Sequence, residues 1–160
     1  MLMVMLMLGG DFFALSSATD NVQPSPTPNV WRIGNLTLVA VALGFCDLVF
    51  CASSLSVGHF RLHLGHAALQ SLTLITMVYS SQAIFYVSRE RRRLWNSRPG
   101  TLLLVGSALE LTIYSTLAHE GILMSPLPFP ILISVFAGAA VLALVLDSVK
   151  VALTRRLPIA

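Results

Sequence analysis

Five long apolar stretches, separated by short polar or proline-rich connectors, make up most of this chain. They predict helices at about residues 1–18, 36–57, 67–88, 100–118 and 130–152. Each stretch is close to the roughly 20 residues that a helix needs to cross the hydrocarbon core of a bilayer. The pattern therefore predicts an all-α integral membrane protein, a five-span transmembrane helix bundle that forms a single domain over residues 1–160.

The connector after the first span has a distinctive composition. Asp20 and Asn21 interrupt the apolar pattern, and Pro24, Pro26 and Pro28 follow at every second position. Proline lacks a backbone donor and fixes an extended geometry, so a helix cannot continue through this segment. We expect a stiff loop here.

Composition supports the membrane assignment. Of the 160 residues, 56% are hydrophobic and 11% are charged, with a mean hydropathy of +0.81, whereas roughly a quarter of the residues in a soluble domain are charged. The formal net charge of +3 comes from basic residues at the ends of apolar segments. Nucleic-acid binding proteins instead gather such residues on one face, so we expect the lipid bilayer as a partner and no nucleic acid.

The positions of the basic residues predict the orientation. Of the ten lysines and arginines, all but Arg61 lie in segments 19–35 and 89–99 or near the C-terminus. Loops rich in such residues remain in the cytoplasm. The sequence therefore predicts a multi-pass membrane protein with cytoplasmic loops at 19–35 and 89–99 and a cytoplasmic C-terminal segment at 153–160.

One acid lies deep in the first span. Asp11 precedes Asp20 by nine residues, which places it about 13 Å below the end of the helix, near the middle of the bilayer. Gly9 and Gly10 beside it weaken the helix and give other groups access to the backbone. Because transporters build cation sites from a carboxyl beside a helix break at this depth, Asp11 is the candidate proton- or cation-binding residue.

Two further acids fall near the middles of later spans. An ionised carboxylate at the centre of a spanning helix costs about 2.5 to 3.5 kcal/mol, so each needs a partner or a proton. For Asp47 and Glu110 we expect a protonated carboxyl hydrogen-bonded to a neighbouring helix, with Gln82, Ser53 or Thr112 as the partner. Asp47, Glu110 and Gln82 are therefore candidate secondary polar sites.

The remaining acid within a span is Asp147, with Lys150 one turn further along the chain. This spacing predicts a structural ion pair or snorkelling to the membrane surface. His59, His63 and His66 have no thiol or carboxylate among them, so we expect no metal site there. No glycine-rich phosphate loop or Ser/His/Asp set is present, and we expect no catalytic residues.

The first span and its connector resemble a known family. Asp11, the nine-residue spacing to Asp20-Asn21, the prolines between 24 and 28 and then Trp31 are similar to the sixth membrane helix and following loop of plasma-membrane proton-exporting P-type ATPases. Further matches occur in the same order at Ser81-Gln82-Ala83, Arg89, Arg98-Pro99-Gly100, Leu146-Asp147 and Lys150. The resemblance covers essentially the whole chain and implies the sixth to tenth membrane helices of such a pump.

This resemblance implies a role for Asp11. In the family, the matching carboxyl takes up a proton from the cytoplasm and releases it outside, driven by phosphorylation. One departure is Gly10, where plant and fungal pumps have asparagine. The chain lacks the D-K-T-G-T segment and the nucleotide-binding domain, so it is not expected to hydrolyse ATP alone. ATP and Mg²⁺ would act only through the cytoplasmic domains of the pump. These domains and the remaining helices are expected as partners, in the same chain or in a separate one. The present chain would then be a fragment, a truncated product or a split subunit.

Two other functions remain open on the sequence. The chain could be a stand-alone structural or regulatory membrane protein that associates with a pump and moves no ions. It could also be a small independent cation channel that uses Asp11, Asp47 and Glu110. Ion flux through the purified chain in liposomes would identify the channel, and we expect none.

Overall fold

The computed structural model describes residues 4, 7, 10, 11, 15, 33–89, 93 and 98–156. Over these residues the chain forms four long helices and no strand: α1 at Ile33–Phe60, α2 at His66–Arg89, α3 at Thr101–Glu120 and α4 at Phe129–Arg156. They cover the last four predicted spans. Five residues of the first predicted span are described, and each is helical. The predicted fold class, a helical membrane bundle, is confirmed.

Local sequence signals account for the ends of α3. The helix begins directly after Pro99 and Gly100, and it ends at Gly121, whose φ of 70° is left-handed. The Gly121 amide donates to the Leu117 carbonyl, which satisfies an otherwise unpaired acceptor of the last turn. Because glycine has no Cβ, it adopts this conformation without the steric cost that other residues incur.

Helix α2 is the centre of the bundle. It contacts α1, α3 and α4, whereas α3 contacts chiefly α2. Buried positions extend along its whole length, from Ser71 to Val87. The position of every other helix therefore depends on its packing against α2.

Helix α2 is less apolar than the other three helices. Three helical segments are long and apolar enough to cross a membrane, namely Gly34–Phe60, Thr101–Glu120 and Phe129–Thr154. Helix α2, which covers the predicted span at 67–88, is not among them. Its polar residues include the buried Ser71, Thr76 and Gln82. Because other helices cover these side chains, a central helix can carry polar groups that a lipid-facing helix cannot.

The buried apolar side chains form two clusters along the bundle. One includes Ile75 of α2 and Leu127 of the α3–α4 connector. The other joins Val87 near the end of α2 to Leu146 of α4. The connector is tied to this core, since the Leu127 amide donates to the Ala118 carbonyl at 2.8 Å. The packing thus extends from the connectors to the opposite helix ends.

A close approach between α1 and α4 gives a test of this packing. A Cβ built on Gly138 of α4 would lie 3.0 Å from Phe50 Cε2 of α1. A Gly138→Leu substitution must therefore push the two helices apart or displace the Phe50 ring. We expect it to lower the free energy of unfolding by about 1 to 3 kcal/mol, measured by denaturant titration in lipid-containing micelles.

Gly44 of α1 supplies the matched control. It is exposed, and no atom lies within 4 Å of its Cβ position. Gly44→Leu makes the same chemical change in a helix and brings the same gain in helix propensity, about 0.8 kcal/mol relative to glycine. Equal unfolding free energies for the two variants would contradict the close α1–α4 contact.

Candidate functional site

Asp11 is helical, and its side chain is exposed. The adjacent Gly10 is also helical, with no atom within 4 Å of its Cβ position. The other residues of the motif lie outside the described residues: Gly9, Asp20, Asn21, Pro24, Pro26, Pro28 and Trp31. An exposed carboxyl at membrane depth requires a proton, a partner or water.

Glu110 and Gln82 face each other between α3 and α2. Gln82 Nε2 donates a hydrogen bond to Glu110 Oε2 at 2.6 Å. Both residues are almost fully buried, with 5% of Gln82 and 7% of Glu110 exposed. Gln82, one of the three partners expected for the intramembrane acids, thus contacts Glu110. Ser53 and Thr112, the other two, instead donate to the carbonyls of Val49 and Ala108 in their own helices.

Two tyrosines extend this contact along the same face of α2. The Tyr79 hydroxyl lies 2.7 Å from Ser115 Oγ, and the Tyr86 hydroxyl lies 2.6 Å from Ser107 Oγ. Each serine hydroxyl also donates to a carbonyl of α3, so the tyrosine is the donor in each pair. We call these four residues, together with Gln82 and Glu110, the α2–α3 polar seam.

The sequence identified Gln82 as one of three possible partners for Asp47 and Glu110, but it did not indicate the tyrosine–serine pairs beside it. Tyr79, Gln82 and Tyr86 are three and four positions apart, the spacing of one helix face. That spacing is the signal that could have revealed the seam. Without the antiparallel pairing of α2 and α3, however, the sequence does not identify Ser107 and Ser115 as the partners.

Asp47 is half-buried on α1 and joins a different contact. Cys51 Sγ donates to Asp47 Oδ1 at 3.9 Å and lies 3.9 Å from Ser80 Oγ of α2. A second polar contact between these helices pairs Ser54 Oγ with Thr76 Oγ1 at 3.0 Å. Asp47 thus faces the α1–α2 interface, away from the polar seam.

Asp147 and Lys150 form an ion pair within α4, with Lys150 Nζ 3.0 Å from Asp147 Oδ1. Lys150 Nζ also donates to the Val87 carbonyl of α2 at 2.8 Å. Only 4% of each residue is exposed. The lysine therefore does not snorkel to the surface; it points into the bundle and ties α4 to α2.

The structure does not bring the candidate acids together. Asp47 lies between α1 and α2, Glu110 between α2 and α3, and Asp147 between α4 and α2. Within the part of the chain that the structure describes, no three His, Cys, Asp or Glu side chains converge on a metal-sized site. The exposed His59, His63 and His66 are no exception. Each acid is therefore a separate polar site with its own partners.

Comparison with known proteins finds a relative that aligns with almost the whole chain. No protein-family model matches the chain. Over 160 aligned residues it is 30% identical to a Methanocaldococcus jannaschii protein named "Putative cation-transporting ATPase", an alignment that covers 99% of this chain and 20% of that protein. The chain thus spans about a fifth of the length of this relative. This similarity, together with the apolar helical bundle, supports a likeness to the membrane part of a cation-transporting ATPase.

Proposed function

We propose that this chain is the C-terminal membrane portion of an ATP-driven cation pump of the P-type class. The observation that carries the proposal is the similarity to a cation-transporting ATPase along 99% of the chain. The order of the sequence motifs, from Asp11 to Lys150, supports the same assignment. The transported ion is the proton, and the pump works in the plasma membrane with the C-terminus of this chain in the cytoplasm.

Asp11 is the residue that binds the transported proton. Its carboxyl group takes up the proton from one side and releases it to the other when the access route alternates between the two sides. The exposed side chain of Asp11 and the open space beside Gly10 leave room for groups from the first five helices of the pump. Those groups would complete the site.

The four described helices act as a scaffold in this proposal. Helix α2 holds α1, α3 and α4 in place, and the Lys150 ammonium fixes α4 to α2 through the Val87 carbonyl. Hydrolysis of ATP and binding of Mg²⁺ belong to cytoplasmic domains of the same pump. The chain contributes an ion site and mechanical support, and it has no ATPase activity by itself.

The proposal is tested with a fusion in which this chain replaces the matching fifth of the M. jannaschii relative. Inverted membrane vesicles that contain the fusion are expected to acidify on addition of ATP, as reported by a pH-sensitive dye. The intact relative is the positive control, and the same protein lacking this fifth is the negative control. An inactive fusion beside an active relative would contradict the proposal.

The choice of ion is tested in the same vesicles. ATP-dependent uptake of a radioactive metal cation, without acidification, would overturn the proton assignment and leave the cation-pump assignment in place. Ion flux through this chain alone in liposomes would instead favour the small channel. A chain that binds an intact pump and alters its rate without moving ions would favour the regulatory protein.

A further inference from the structure

The Gln82–Glu110 contact leaves one buried acceptor unsatisfied. Gln82 Nε2 donates to Glu110 Oε2, but Gln82 Oε1 is buried and has no hydrogen-bond partner. Burying an amide oxygen without a donor costs about 1 to 3 kcal/mol. Gln82 Oε1 therefore requires a hydrogen-bond donor close to Glu110. The Glu110 carboxyl group, which lies opposite Gln82, is such a donor when it carries a proton.

The charges around Glu110 favour its neutral form. On the facing helix α2, the titratable groups of the polar seam are Tyr79 and Tyr86, each bonded to a serine. Two charged residues of α4, Asp147 and Lys150, are paired with each other. Within the described part of the chain, no lysine, arginine or histidine forms an ion pair with Glu110. An ionised carboxylate at this depth with only an amide donor would cost about 2.5 to 3.5 kcal/mol.

We propose that Glu110 and Gln82 form a proton-binding site inside the bundle, separate from Asp11. Glu110 takes up one proton from water and donates it, as a carboxylic O–H, to Gln82 Oε1. Gln82 Nε2 donates in return to Glu110 Oε2. This two-point acid–amide pair satisfies the orphan acceptor and removes the buried negative charge in one step. It depends on the α2–α3 geometry alone and not on the pump assignment.

The bound proton fixes α3 to the rest of the bundle. Helix α3 contacts chiefly α2, and Glu110 lies between the two tyrosine–serine pairs of the polar seam. Loss of the proton would leave a carboxylate between α2 and α3 and an amide oxygen without a donor. Proton binding at Glu110 therefore stabilises the docking of α3 on α2.

Infrared spectroscopy tests this site directly. The full chain in lipid nanodiscs at neutral pH is expected to show the C=O stretching band of a protonated carboxyl group, which ionised carboxylates lack. Glu110→Gln is expected to lose the component of this band that Glu110 contributes, while any component from Asp11 or Asp47 remains. The variant keeps an amide pair with Gln82, so its helical circular dichroism spectrum is expected to match that of the original chain.

Two further variants complete the test. Glu120→Gln makes the same change at an exposed position of α3 and is expected to keep the band. Gln82→Leu is expected to keep it but shift it to higher frequency, because the carboxyl oxygen loses its hydrogen bond from Nε2. A Glu110→Gln spectrum identical to that of the original chain would overturn the proposal. A band whose frequency is the same in Gln82→Leu as in the original chain would also overturn the proposal. This second measurement tests the site even if Glu110→Gln fails to fold.

Discussion

Replacing Asp11 with asparagine is expected to reduce ATP-dependent acidification by the pump fusion to the level of vesicles that lack this chain. Asparagine has nearly the shape of aspartate, but its amide neither takes up nor releases a proton in the physiological range. Because a neutral amide is less costly than a carboxylate at membrane depth, the variant should be at least as well tolerated in the bilayer. The loss would therefore report on transport chemistry, and the dye assay measures it directly.

Two companion variants separate this effect from a general loss of function. Asp11→Glu keeps the carboxyl and moves it by one methylene, so it should retain measurable transport. Glu120→Gln removes an exposed carboxyl at the end of α3 and should transport at the original rate. Acidification at the original rate by Asp11→Asn would remove Asp11 from the mechanism while leaving the similarity to the ATPase unaffected.

The second large effect is expected from Lys150→Met. Lys150 and Asp147 are both buried and lie 3.0 Å apart, so methionine leaves the Asp147 carboxylate in the bundle without the adjacent ammonium. Removing one partner of a buried ion pair typically destabilises a protein by about 3 to 5 kcal/mol. The loss also includes the hydrogen bond to Val87 that joins α4 to α2. Denaturant titration of the full chain in micelles measures the change.

The double variant Asp147→Leu, Lys150→Met gives the informative comparison. It removes both buried charges and replaces them with apolar side chains of similar size, an exchange that is often close to neutral in stability. We expect it to be more stable than Lys150→Met alone, because no buried charge is left behind. A double variant whose destabilisation equals the sum of the two single changes would mean that the residues act independently.

The helices were largely predictable from sequence because hydropathy and helix-ending residues such as glycine and proline are properties of short segments. The predicted spans at 36–57 and 130–152 lie inside α1 at Ile33–Phe60 and α4 at Phe129–Arg156. Helix ends extend past the apolar stretch, since polar residues at a membrane surface can continue a helix. Helix α2 is not among the three most apolar helices. Its polar side chains are covered by neighbouring helices, and a single sequence does not specify which helices pack together.

The polar contacts also divide into those that residues close in sequence predict and those that depend on which helices pack together. Asp147 and Lys150 are one turn apart, so their pairing was predictable, whereas the link from Lys150 to Val87 requires knowledge that α4 packs on α2. Gln82 was among the expected partners of the intramembrane acids, whereas its pairing with Glu110 requires knowledge that α2 packs on α3. The Cys51 contact with Asp47 was not expected, although the two are four residues apart on one helix, because thiols are weak donors.

The central position of α2 has a consequence for biogenesis. A helix that carries an amide such as Gln82, whose hydrogen-bond partner lies on a neighbouring helix, is a poor substrate for the translocon when it emerges alone. Its neighbour α1 is long and apolar, and only the short connector 61–65 separates the two. We therefore expect α2 to leave the translocon together with α1, as a helical hairpin in which the Ser54–Thr76 and Cys51–Ser80 contacts are already formed. Assembly of the bundle then begins at the α1–α2 interface and ends with the docking of α3.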